Sequence, residues 1–222
     1  MSVKLKKKGI SLLFVLLSFA SLSAQYQPHW DSLDKREVPQ WWQDAKFGIF
    51  IHWGLYSVPA YAPVNEVDGI YEKYAEHYYN RLLTGNKFFQ DFHAKQYGEH
   101  FKYADFAPLF KAEYFNSDEW AELFREAGAK YVVLTSKHHD GFCLWPSTQS
   151  PHWNSVVMGP HTDLIGKLST SVRNTGLRFG LYYSLLEWAH PLYSQPTIEK
   201  WVDRHMIPQM KELVNNYKPE II

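Results

Sequence analysis

Hydrophobic positions fall into two alternating rhythms along the chain. Three short, nearly continuous apolar runs each end in polar and aromatic groups: Lys46–Trp53, Tyr131–His139 and Arg178–Ser184. A fourth run begins at Pro219–Ile222. Such runs predict strands covered on both faces, as in a parallel sheet. Between them, apolar residues recur at helical spacing. Trp120, Leu123, Phe124 and Ala127 follow a cap at Asn116 or Ser117, and Gly128 ends that helix. Leu164, Ile165, Leu168 and Val172 follow Thr162 or Asp163 and stop at Gly176. Ile198, Trp201, Val202, Met210, Leu213, Val214 and Tyr217 follow Thr197, and Pro208 is expected to kink or split that helix. Repeated strand and helix units with short glycine turns predict an α/β fold. Residues 54–115 form a long insert rich in Tyr, His and Phe. It reads as a lid or binding loop, or as an ordinary packed aromatic segment.

The first 24 residues read differently. Lys4, Lys6, Lys7 and Lys8 precede the apolar run Ile10–Phe19, and Ala20, Ser21, Ser23 and Ala24 supply small residues before Gln25. This is a three-part export signal, with cleavage expected after Ala24. The apolar run is shorter than the roughly 20 residues that span a bilayer. Residues 1–24 are therefore set apart as a signal peptide, and 25–222 carry the fold. The mature chain is expected in a periplasmic, extracellular or lysosome-like compartment, free of the membrane.

Composition narrows the class. The chain has 222 residues, 45% of them hydrophobic and 17% aromatic, which supports a packed core rather than disorder. Without the four leader lysines, 19 basic residues face 23 acidic ones, and the basic ones are not clustered. A mildly acidic chain of this kind is a poor nucleic-acid binder. One cysteine, Cys143, excludes a disulfide scaffold and a multi-cysteine zinc site, and is expected to be buried.

Two parallel-sheet architectures fit: an open doubly wound sheet and an eight-stranded barrel. No Gly-x-Gly-x-x-Gly turn follows a strand, which weakens the dinucleotide-binding sheet. Polar and aromatic groups at the strand C-termini suit a (β/α)8 barrel, whose site lies on that rim. A barrel typically needs about 250 residues. The expectation is therefore a TIM-like barrel of which this chain holds only the N-terminal half.

Three strand ends would converge on that rim. His52 and Trp53 end the first, His138, His139 and Asp140 the second, and Tyr182, Tyr183 and Ser184 the third. Imidazoles and phenols beside aromatic walls suit a ligand with many hydroxyls. Adjacent His138 and His139 point to opposite sides of an ideal strand, so both reach one site only where the strand gives way to a loop. His52, His138, His139 and Asp140 could instead hold a metal. The first strand lacks a second histidine spaced to share its face, so no metal and no cofactor are assigned.

These segments resemble the retaining α-L-fucosidases of glycoside hydrolase family 29. Phe47–Ala60 resembles the family's opening barrel strand, and Tyr131–Phe142 its histidine-pair strand. Trp145-Pro-Ser147, Gly159–Leu164, Gly180–Trp188 and His190-Pro-Leu-Tyr193 continue the likeness in order, over about residues 30–222. The resemblance implies release of terminal α-L-fucose from an oligosaccharide or glycoconjugate with retention of configuration. It implies that His52, His138 and His139 bind fucose hydroxyls. Glu76, in Tyr74–Tyr78, best matches a family glutamate with the same role, although His77 stands where the family has Trp. Glu66 and Glu72 are rivals. One of Tyr182 and Tyr183 would line the pocket, with Trp53 and Trp145 as walls. The family's nucleophilic Asp and its acid/base are expected after Ile222, as is its β-sandwich, so this chain alone would be inactive. The alternatives are a non-catalytic fucose-binding remnant and a metal-dependent hydrolase.

Overall fold

The computed structural model describes residues 26–64, 69 and 73–222. The signal predicted over 1–24 lies outside the described residues, as do Glu66 and Glu72. The described chain divides into two units, one ending at Gln43 and one spanning Asp44–Ile222. In the first, α1 (Trp30–Leu33) is followed by α2 (Gln40–Asp44), which runs to the boundary. Among the described residues, no helix is long and apolar enough to cross a membrane.

The second unit is built on a parallel sheet. Its strands are β1 (Gly48–Ile51), β2 (Tyr131–Lys137) and β3 (Arg178–Tyr183), side by side in that order. Gly48 pairs with Tyr131, and Tyr131 with Arg178, so the three strands start level. The Pro219–Ile222 run lies along the far edge of β3. Gly180 bridges Ile221 in parallel, and the Leu181 N–H donates to the Ile221 carbonyl at 2.9 Å. All four predicted apolar runs thus pair in chain order.

Most of the described insert is packed core. Its helices α3 (Tyr78–Leu83) and α4 (Lys87–Tyr97) enclose Tyr78, Phe89 and Phe106, none of which is exposed. Tyr61 stacks on Phe92 at 3.7 Å, and the Tyr78 hydroxyl is bonded to His93 at 2.8 Å. The lid reading holds for none of these residues, because their rings have each other to bury against.

Helix α5 (Ser117–Glu126) starts where Asn116 Oδ1 accepts from the N–H groups of Asp118 and Glu119, at 3.1 and 3.3 Å. Its buried face runs through Ala121 and Phe124, while Leu123 is 62% exposed. Leu123 stands about 100° around the helix from Phe124, so the face turned to the sheet excludes it. Helix α6 (Leu164–Asn174) is capped by Asp163 and buries all four of its predicted apolar positions completely. The last predicted helix is split. It becomes α7 (Ile198–Trp201), a π-helical turn at Val202–Met206, and α8 (Ile207–Tyr217). Pro208 falls in the first turn of α8, where its missing N–H is tolerated. Val214 is exposed, on the solvent side of α8.

Candidate active site

The C-terminal ends of the three strands bring the predicted histidines together. His52 follows the last residue of β1, and its ring lies 5.7 Å from both His138 and Tyr182. His138 and His139 are 4.1 Å apart, centroid to centroid. Adjacent residues can meet this way because β2 is irregular there. Thr135 pairs with Tyr182 and Lys137 with Tyr183, leaving Ser136 as an extra residue. The strand ends at Lys137, so neither histidine follows its alternation.

That irregularity also decides between the tyrosines. Tyr182 shares the histidine face, 5.8 Å from His138. Tyr183 points the other way and donates its hydroxyl to Gln209 at 2.7 Å. Glu76 sits in a 3-10 turn, Ala75–His77, and its charge acts on the phenols of Tyr56 and Tyr182. Trp53 and Trp145 are not brought to the histidine group. The Trp53 ring packs among Phe110, Phe115 and Trp120 at 5.2–5.4 Å. Trp145 is fully buried in the core and donates to Glu212 at 3.0 Å. Both indoles are large enough for the core to claim.

Three neighbours were not predicted as site residues. Trp188 packs 4.8 Å from His139 and 5.5 Å from His77. His77 itself lies 5.8 Å from His139, and Tyr56 lies 5.2 Å from His138. Trp188 and His77 belong to the segments that carry the family likeness, so a signal for them existed. Tyr56 follows His52 by four residues through a 3-10 turn at Leu55–Ser57, which no periodicity reveals.

Burial, above all, keeps His138 and His139 neutral. Burial pushes His138 down to about 2, helped by the charges of His139, His52 and His77. Burial also lowers His139 to about 4, with His77, Lys137 and His52 adding to it. His138 Nδ1 is buried with no hydrogen-bond partner among the described residues. Asp140 behaves oppositely. Burial raises it to about 6, against hydrogen bonds from the Tyr103 hydroxyl at 2.7 Å and the Phe142 N–H at 3.1 Å. Cys143 is buried as expected, and burial pushes its thiol up to about 12.

These shifts set a stability profile. Unfolded histidines titrate near 6.5, so between pH 4 and 6.5 His138 and His139 take up two protons only on unfolding. Their contribution is fully present above pH 6.5 and is lost as pH falls. Asp140 opposes this between pH 3.8 and 6, where only the folded chain keeps its proton. For these three groups the net uptake is one proton between about pH 4.5 and 6, and below 4.5 Glu187 adds to it. Stability is therefore expected to fall by about 1.4 kcal/mol per pH unit on acidification. Urea midpoints measured across that range test this, and a midpoint that stays level or rises towards pH 4 contradicts it.

Behind the histidines lies a second polar group. Lys137 pairs with Glu187 at 2.7 Å, and both are almost completely buried. A cavity of about 390 Å³ adjoins them, walled by Tyr103, Asp140, Trp153, Glu187, His190 and His205. Glu187, His190 and His205 offer ligand atoms within 4.8 Å of one another. The Lys137 ammonium already sits 2.7 Å from that carboxylate, however, and supplies a positive charge there. Asp140, the metal ligand weighed from sequence, is turned to Tyr103 and Phe142 instead.

The chain is similar to known proteins over most of its length. A sequence model of the α-L-fucosidase family matches residues 14–222. An α-L-fucosidase of Branchiostoma floridae is 47% identical, covering 96% of this chain and 46% of its own length. The human tissue α-L-fucosidase is 44% identical, with the same two coverages. Among solved structures, the Thermotoga maritima α-fucosidase in complex with fucose superimposes with a TM-score of 0.77 at 45% identity. It covers 87% of this chain and 48% of its own. The chain thus spans about half the length of the curated relatives it matches. On this family match and these identities, the chain belongs to the α-L-fucosidase family.

Proposed function

We propose that this chain is the N-terminal part of an exported retaining α-L-fucosidase and carries that enzyme's fucose-binding histidines. The reading rests on one observation above all. His52, His138, His139 and Tyr182 meet at the C-terminal ends of three parallel strands, beside Glu76. In a (β/α)8 barrel that rim is the site. Neutral imidazoles and phenols each offer a donor and an acceptor, which suits the hydroxyls of terminal α-L-fucose on a fucosylated oligosaccharide or glycoconjugate.

Retaining hydrolysis needs two carboxylates about 5–5.5 Å apart, one as nucleophile and one as acid/base. None of the carboxylates singled out in this chain is given either role. Asp140 is held by Tyr103 and the Phe142 N–H. Asp163 caps α6 and accepts from Tyr217 at 2.9 Å. Glu187 is paired with Lys137. The chemistry is assigned to the half of the barrel that the relatives possess and this chain does not match. No metal is assigned either, and Lys137 supplies the positive charge beside Glu187.

The test is a fusion of this chain to the unmatched C-terminal portion of the Branchiostoma floridae relative. It is expected to hydrolyse an aryl α-L-fucoside, and to release the α-anomer of fucose first. Release of the β-anomer first would overturn retention. An inactive but folded fusion would overturn the fucosidase reading. Prolonged chelation should leave the rate unchanged, whereas loss of activity restored by Zn2+ would move the assignment to a metal-dependent hydrolase.

A further inference from the structure

The histidine pair is held from the opposite face of β2 by a buried charge. Lys137 immediately precedes His138, and its ammonium donates to Glu187 Oε2 at 2.7 Å. Trp201 Nε1 donates to the same oxygen at 3.3 Å, and His205 stands 3.1 Å from it on the π-helical turn. Gly141 makes room for this carboxylate. With φ at +78°, it favours glycine, and a Cβ there would lie 2.7 Å from Glu187 Oε1.

Residues on either side of Glu187 grip His139. The Trp188 N–H donates to the His139 carbonyl at 3.0 Å, and its ring packs on the imidazole. The Ser184 N–H donates to the Lys137 carbonyl at 3.1 Å, and Ser184 Oγ is hydrogen-bonded to His139 Nδ1.

The direction of that last bond follows from proton counting. A serine hydroxyl has one hydrogen to give. The Leu186 N–H donates into Ser184 Oγ at 3.1 Å. The Leu186 carbonyl, which can only accept, lies 2.9 Å away. Once the hydroxyl hydrogen goes to that carbonyl, Ser184 Oγ can only accept from His139. Nδ1 then carries the ring hydrogen, and Nε2 keeps the lone pair. Burial first, and then the neighbouring His77 and Lys137 charges, oppose a second proton on the ring.

We propose that Ser184, held in place by the Lys137–Glu187 ion pair, is a positioning residue that fixes His139 as the Nδ1–H tautomer, so that Nε2 accepts a hydrogen bond from a ligand hydroxyl. This rests on the hydroxyl-binding reading of the site and adds a polarity to it. The ligand group facing His139 must be a donor, so a sugar O-methylated at that position is rejected.

Nitrogen NMR of the 222-residue chain with labelled histidines tests this without any sugar. His139 is expected to show a protonated Nδ1 and an unprotonated Nε2. Ser184→Ala should abolish that pattern, leave the His190 and His205 signals in place, and weaken L-fucose binding at least tenfold. A protonated Nε2 in the unmodified chain would overturn the proposal, as would an unchanged pattern in Ser184→Ala. Lys137→Met alone is expected to unfold much of the chain. The second variant is therefore Lys137→Met with Glu187→Leu, since apolar replacement of a buried pair can restore stability. If that double variant melts like the unmodified chain but shows mixed tautomers at His139, the ion pair positions the ring. If it melts normally and keeps the Nδ1–H pattern, the pair only supports the fold, and that part of the proposal fails. An Nδ1–H pattern in a chain that ignores L-fucose would support the tautomer assignment and count against the fucose reading.

Discussion

His138→Ala is expected to cut kcat/KM for an aryl α-L-fucoside about 30- to 1,000-fold in the fusion to the relative's C-terminal portion. Hydrogen bonds to sugar hydroxyls can strengthen as the ring distorts towards an oxocarbenium-like transition state. Losing one well-placed donor of that kind costs about 2–4 kcal/mol, and each 1.36 kcal/mol is tenfold in rate. Both kcat and KM should respond, because the bond strengthens between ground state and transition state. A purely structural histidine predicts another pattern: a lower melting temperature with normal kinetics per folded molecule. His138 is suited to the first pattern. It is 5% exposed, its Nδ1 has no hydrogen-bond partner among the described residues, and burial keeps it neutral. Measuring kcat, KM and melting temperature on the same preparation separates the two.

Lys137→Met is expected to destabilise the chain by about 3–5 kcal/mol, the cost of leaving one member of a buried pair uncompensated. The Lys137 side chain is fully enclosed, and Glu187 is 5% exposed. Burial alone would raise the Glu187 carboxyl, but His205 and Lys137 beside it outweigh burial and bring it down to about 2. That stabilisation is present above pH 4.5 and is lost as pH falls towards 2. Without Lys137, the carboxylate keeps Trp201 and His205 but loses its fixed charge partner. Urea unfolding of Lys137→Met beside the unmodified chain at pH 7 gives the difference directly. A loss under 1 kcal/mol would mean that water or His205 neutralises Glu187 in the variant.

The strand order was legible because apolar runs of strand length do not follow a helical pattern, although only β2 and β3 are covered on both faces: β1 has no buried residue and Phe50 is 53% exposed. Gly48–Ile51, Tyr131–Lys137 and Arg178–Tyr183 all fall within the predicted runs. Helix caps were legible for a local reason: Asn116 and Asp163 bond to N–H groups two or three residues on. Which face of a helix is buried is less local. Leu123 and Val214 carry the right side chain for the core, yet the sheet lies on another side.

At the site, residue types were legible and directions were not. His52, His138 and His139 stood out as polar groups ending apolar runs. Choosing between Tyr182 and Tyr183 required the extra residue at Ser136, an irregularity that no alternation pattern encodes. Trp53 and Trp145 show why: an indole can wall a sugar or fill a core, and here Trp145 is fully buried while Trp53 packs half-buried against the core. Lys137 and Glu187 are 50 residues apart, and only their burial on one face makes them a pair.

The most direct measurement of the central claim is a titration of the labelled chain with L-fucose and, separately, with its mirror image D-fucose, followed on the histidine ring signals. Binding at the strand ends predicts that His52, His138 and His139 shift together and saturably with L-fucose, far less with D-fucose, while His190 and His205 stay unmoved. No saturable shift at the three histidines, or equal shifts with both enantiomers, would contradict an L-fucose site there.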